Sequence, residues 1–84
     1  MDGFLGEIRI FTGSFAPKDW AFCNGQEMTV NTPAATNLYK ILGNRFGGNA
    51  HLQPPTLALP NMPDPFRDGH YLICINGLTL VPNE

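Results

Sequence analysis

The chain carries little charge. Only 14% of its 84 residues are Asp, Glu, Lys or Arg, and the net charge is −2. Its cations, Arg9, Lys18, Lys40, Arg45 and Arg67, are scattered, so there is no basic stripe to follow a phosphate backbone and nucleic acid is excluded as a partner. No apolar run approaches the roughly 20 residues of a membrane-spanning helix. The amino terminus lacks the basic stretch and long apolar stretch of a secretory leader. Cysteine is scarce: Cys23 and Cys74 are too few and too far apart for a zinc site. They read as two small buried hydrophobes or, if oxidised, as one disulfide.

Catalytic groups are equally sparse. His51 and His70 are flanked by Gly, Pro and Asn, and no Ser/His/Asp or Cys/His set stands at a recognisable spacing. Cys23 has no evident base beside it. Gly47-Gly48 is not followed by the Lys-Ser/Thr of a phosphate loop. Asp64 and Asp68 around Arg67 read as local charge pairing, because a calcium site needs more oxygen ligands than this segment offers. The expectation is a protein that is not an enzyme and holds no cofactor or metal.

What is present is turn chemistry and apolar surface. Nine Gly, eight Pro and 43% apolar residues suit a small turn-rich β protein better than a helical bundle. A domain of this length buries only about 60–65% of the surface of its unfolded chain. Marginal size and low charge together favour an oligomer.

Along the chain, "GEIRIFTG" alternates Ile8 and Ile10 with Glu7 and Arg9, the period of a half-buried strand. "WAFCNG" places Trp20, Phe22 and Cys23 before Asn24-Gly25, a strong hairpin signal, so residues 20–30 read as a hairpin. Trp20 there supplies scarce core area. "NTPAATNLYKILG" reads as a helix over 33–42: Asn31 or Thr32 caps it, Pro33 suits its first turn and Gly43 follows its end. Leu38, Ile41 and Leu42, with Ala34 or Ala35, give it an apolar stripe. "TLALP" is a short strand stopped by Pro60, and prolines between 60 and 65 give an extended linker. The last segment, "HYLICINGLTLV", contains a second Asn-Gly, at 76–77, and is apolar on both faces: Tyr71, Ile73 and Ile75 on one, Leu72 and Cys74 on the other. Such a strand must be covered on both sides, which is hard to achieve within so short a chain.

In this order, "GEI", "FAP", "WAFCNG", "LYKILG", "FGG" and "LALPN" make the chain resemble the phage tail collar domain, found in short tail fibres and microcystin-dependent proteins. The resemblance runs over about residues 3–61 and rests chiefly on Gly6-Glu7-Ile8 and on Trp20, Cys23, Asn24 and Gly25 after Pro17. It treats those last four as a structural signature. The tail "YLICINGLTLVP" is similar to the closing segment of longer members. Asn61 stands where the family pattern has Asp, and "MPDPFRDG" replaces an Arg-Gly-Arg segment and a variable region. No His-x-His pair is present to hold a metal at a fibre tip, so receptor binding by such a tip does not carry over.

The expected fold is α+β, a small antiparallel sheet or partial sandwich with one short helix packed on it. Residues 1–61 form the collar-like domain, 62–70 a Pro-rich linker, and 71–84 a β segment that completes the same or a neighbouring domain. The expected function is a structural, self-assembling, tail-fibre-like or filament-forming subunit of a virion or an extracellular fibre. Its partner is the chain itself, in a homo-oligomer or fibre, together with other phage-tail-like proteins. Self-association falls on Tyr71, Leu72, Ile73, Ile75, Leu78 and Leu80. The extended linker is long enough to let this strand complete the sheet of a neighbour, in a groove lined by Ile8, Ile10 and Phe22. Folding back onto its own sheet is the alternative. A different class of function is a receptor- or carbohydrate-binding module, taking a surface glycan at the 44–56 loop with Phe46 or Tyr39 as platform.

Overall fold

A computed structural model describes residues 3–79. Its elements are β1 (Ile8–Phe11), β2 (Trp20–Phe22), β3 (Glu27–Thr29), α1 (Pro33–Leu42), β4 (Gly48–Asn49), β5 (Thr56–Ala58) and β6 (His70–Cys74). The strands form two antiparallel three-stranded sheets, ordered β1-β6-β2 and β3-β5-β4. With α1 between β3 and β4 in sequence, the architecture is α+β.

The helix follows its local signals. Thr32 has extended backbone, and its hydroxyl accepts from Ala35 N at 3.1 Å, satisfying one of the amides that a helix start leaves unpaired. Pro33 has no amide to lose there. At the other end Gly43 takes φ +57 and its N–H donates to Tyr39 O at 2.7 Å. Ala35 and Leu38 are buried, whereas Ile41 is 43% exposed, so the apolar stripe is narrower than its spacing predicts.

β6 is the centre of the first sheet and explains the apolar core. Leu5, Cys23, Leu38, Leu57, Leu59 and Ile73 cluster on one side, with Tyr71 and Ile75 packed against them. Trp20, Leu72 and Cys74 cluster on the other, flanked by Phe11, Ala16 and Phe22. The strand is therefore covered on both faces within its own chain, contrary to the sequence argument. Trp20 and the loop before it, through Ala16, form a second lid.

Neither Asn-Gly forms a hairpin among the described residues. Gly25 has the positive φ that such a turn needs (+81), and Asn24 Oδ1 accepts from Gln26 N at 3.1 Å, yet β2 and β3 enter different sheets. The β6 and β5 strands outcompete them for each other: Trp20 pairs with Cys74 and Phe22 with Leu72, while Met28 pairs with Leu57. The turn instead docks on residues 60–62, with Gly25 N donating to Pro60 O and Met62 N to Cys23 O. Asn76 is held by Asp19, and Leu78 is delivered to the amino-terminal segment, where it bridges Phe4 in parallel.

Candidate self-association surface

The segment Phe4–Glu7 sets up this surface. Leu5 is buried and anchors the turn. Glu7 N donates to Phe4 O at 2.9 Å, with Gly6 at φ +86 in the third position, where a type II turn requires a left-handed residue. Gly6 N donates to Cys74 O and Cys74 N donates to Glu7 O, both at 2.9 Å, so two residues face one in a glycine bulge. The Glu7 carboxylate then ties the turn to the strand, accepting from Arg9 Nε at 2.6 Å and from Phe4 N at 2.9 Å. The Arg9 hydrogen bond, followed by that of the Phe4 amide, holds the Glu7 carboxyl below its ordinary range. Its contribution is thus present at neutral pH and is lost only as pH falls through that lowered value. Arg9 lies over the Trp20 ring, 5.1 Å from its centroid.

Beyond the bulge, β1 is an edge strand of its sheet. Ile8 is 40% exposed and Ile10 52%, whereas Arg9 and Phe11 are half-buried. The alternation predicted from the sequence is present with its burial reversed, because Trp20 covers the Arg9 face. Ile41 comes against Gly6, and the bridged pair Phe4 and Leu78 is also exposed. Exposed apolar side chains thus form a margin made up of β1 itself and the turn that leads into it.

The residues expected to mediate association separate into groups. Leu72 and Ile73 are fully enclosed and hold β6 between β1 and β2 of the same chain. Tyr71 and Ile75 are half-buried against the core. Leu78 is 65% exposed on the margin, and Leu80 lies outside the described residues. Of the structural signature, Trp20 and Cys23 are buried, while Asn24 and Gly25 form the turn that meets Pro60 and Asn61. The motif Leu59-Pro60-Asn61 and the motif ending in Asn24-Gly25 are thus two halves of one junction.

The cysteines are free, buried and on opposite faces of the sheet. Cys23 N donates to Tyr71 O, while Cys74 stands opposite Trp20, so they lie three positions apart along the β6 ladder, roughly 10 Å at strand spacing. A disulfide needs Cα atoms within about 7 Å and converging side chains, so this fold does not join them. Burial pushes both thiols above their ordinary range. Stability from these groups is therefore complete below the usual thiol range and declines as pH rises through the raised values. We expect a soluble thiol reagent to leave both cysteines unmodified in native buffer at neutral pH and to label both in urea. Rapid native labelling of either would contradict the burial.

One feature carried no sequence signal. An open groove of about 530 Å³ runs beside the Asn24–Asn61 junction and includes Phe22, Asp64, His70 and Tyr71 in its lining. His70 Nδ1 is 3.0 Å from Asp64 Oδ1, and the His70 ring meets Phe22 edge-on at 5.2 Å. Asp64 and His70 are six residues apart, whereas Phe22 is distant in the chain and meets them because β6 inserts beside β2. At the 44–56 loop, Phe46 is 45% exposed, but the Tyr39 hydroxyl is engaged by Asn44 at 2.8 Å.

Compared with known proteins, residues 6–66 match the sequence model of the Phage Tail Collar Domain. No curated protein and no solved structure matches the chain significantly.

Proposed function

Because the chain belongs to the phage tail collar domain family, a structural family of phage tails, we propose that it is a self-associating subunit of a tail-fibre-type assembly without enzymatic activity. Copies of the chain are its main partners, alongside other tail-like proteins, in a virion tail or an extracellular fibre. One observation carries this reading: the exposed apolar margin of Phe4, Ile8, Ile10, Ile41 and Leu78 in a chain with only 14% charged residues. Large apolar side chains left exposed in numbers on a small domain mark interaction sites where they adjoin. Leu78 brings the carboxy-terminal segment into that margin without withdrawing Leu72 and Ile73 from the core.

Sedimentation velocity over a wide concentration range, with negative-stain microscopy, tests the proposal. Concentration-dependent association into a discrete oligomer or a fibre is expected. A monomer at every concentration would rule self-association out. The competing reading, a glycan- or receptor-binding module, is favoured by the groove at Asp64 and His70 rather than by the 44–56 loop. Binding of a glycan array by a protein that stays monomeric would select it.

A further inference from the structure

The bulge at Gly6 fixes which backbone groups of β1 face outward. In an antiparallel pair, successive residues direct their N–H and C=O groups alternately toward and away from the neighbour. Glu7 O accepts from Cys74 N, so Glu7, Arg9 and Phe11 face β6. The other side of the ladder agrees, since Tyr71 O accepts from Cys23 N and therefore faces β2. Ile8 and Ile10 consequently direct their N–H and C=O groups to the outer edge, where no further strand stands among the described residues. These are also the strand's exposed apolar side chains. Natural edge strands are commonly defended by proline, lysine or a charge pointing into the strand's path. Between Ile8 and Ile10 the only charge is Arg9, which is turned onto Trp20 and Glu7.

We propose that β1 pairs antiparallel with β1 of a second copy, about a two-fold axis at Arg9, so that Ile8 of each copy stands opposite Ile10 of the other. This inference rests on the self-association reading and names its surface. In that register Ile8 and Ile10 exchange their outward N–H and C=O groups with the second copy. Their side chains pair across the seam on the face that carries Ile41. The contact is isologous, so one surface serves both copies. The edge is self-complementary, which argues for a second copy as occupant: in this register the outward backbone groups of Ile8 and Ile10 satisfy one another, and the two exposed apolar side chains meet their own kind. Arg9 then stands opposite Arg9 of the other copy, and that like-charge pair is offset because each Arg9 is held by its own Glu7 at 2.6 Å, which lies diagonal to the opposing Arg9. The two sheets become one, ordered β2-β6-β1 and then the same elements reversed.

The test uses the full chain. The variant Ile8→Lys/Ile10→Lys places like charges opposite each other across the seam, and its self-association should weaken on the order of 100-fold or more. The variant Ile8→Glu/Ile10→Glu should weaken likewise, and mixing the two should restore association as a mixed dimer. Circular dichroism and thermal unfolding establish that each variant is folded, which the exposure of both side chains favours. Independently, the Ile8 and Ile10 amides should gain protection from hydrogen exchange as the wild-type concentration rises. Arg9→Cys should give a disulfide-linked dimer under mild oxidation, because two-fold pairing brings position 9 of both copies to a Cα separation of about 4.5 Å.

Oligomers unchanged by the charge variants would overturn this seam while leaving the self-association reading intact. A monomer throughout would overturn both. A monomer whose Ile8 and Ile10 amides are protected at every concentration would assign the edge to another segment of the same chain.

Discussion

Trp20→Ala is expected to remove about 3–5 kcal/mol of folding stability, the usual cost of deleting a buried large aromatic. Domains of this size have only about 5–15 kcal/mol in total, so the variant should be largely unfolded or melt near ambient temperature. The reason is local. Trp20 is 4% exposed, packs with Leu72 and Cys74, and forms the lid over the second face of β6. Gly3 approaches it so closely that an added Cβ would stand 2.5 Å from the ring. Arg9 stacks over the indole as well, which couples the lid to β1. Urea denaturation followed by circular dichroism measures the effect. A loss under about 1 kcal/mol would mean that this face is not a core.

Gly48→Ala is expected to be the most damaging glycine substitution. Gly48 has φ +98, and a Cβ there would meet Leu57 Cα at 2.6 Å and the Thr56 carbonyl oxygen closer still. Both are backbone atoms of β5, the central strand of its sheet, so they have no side-chain freedom with which to yield. Unfavourable backbone geometry alone costs of order 1–3 kcal/mol, and the clash adds to it. Gly43→Ala isolates the first part, because φ there is +57 with nothing within 4 Å of an added Cβ. Gly48→Ala should therefore be less stable than Gly43→Ala by at least about 1 kcal/mol in the same denaturation assay. Equal losses would mean that β4 can move off β5 freely.

What could be read from the sequence was whatever is specified by neighbours along the chain. Thr32, Pro33 and Gly43 bound the helix because capping acts within one turn, and it begins and ends where they place it. Strands stand within each segment read as β: Ile8–Phe11 in "GEIRIFTG", Trp20–Phe22 and Glu27–Thr29 in residues 20–30, and Thr56–Ala58 in "TLALP". Pairing was a different matter. Asn24-Gly25 permits a tight turn, but whether β2 joins β3 depends on β6, which lies almost fifty residues away and offers Leu72 and Cys74 as better partners. The same long-range choice decided which side of β1 is covered. Alternation marks two faces and says nothing of which one Trp20 will cap. The family motifs were legible as residues, whereas the junction they build between Gly25 and Pro60 was not. The groove beside His70 depended on that same insertion for its Phe22 wall, although the His70–Asp64 contact spans only six residues.

The central place of β6 has a consequence for biosynthesis. When the first 69 residues have emerged from a ribosome, β1 and β2 both exist, but the strand that separates and joins them does not. Their edges and the Trp20 face stay open until residues 70–74 arrive, so the first sheet closes late and all at once. Such order makes folding slow and exposes apolar surface in the meantime. It also acts as a length check: a copy cut short before β6 has neither a covered core nor a properly set β1 edge. An assembly built on that edge would admit only chains synthesised at least as far as Cys74.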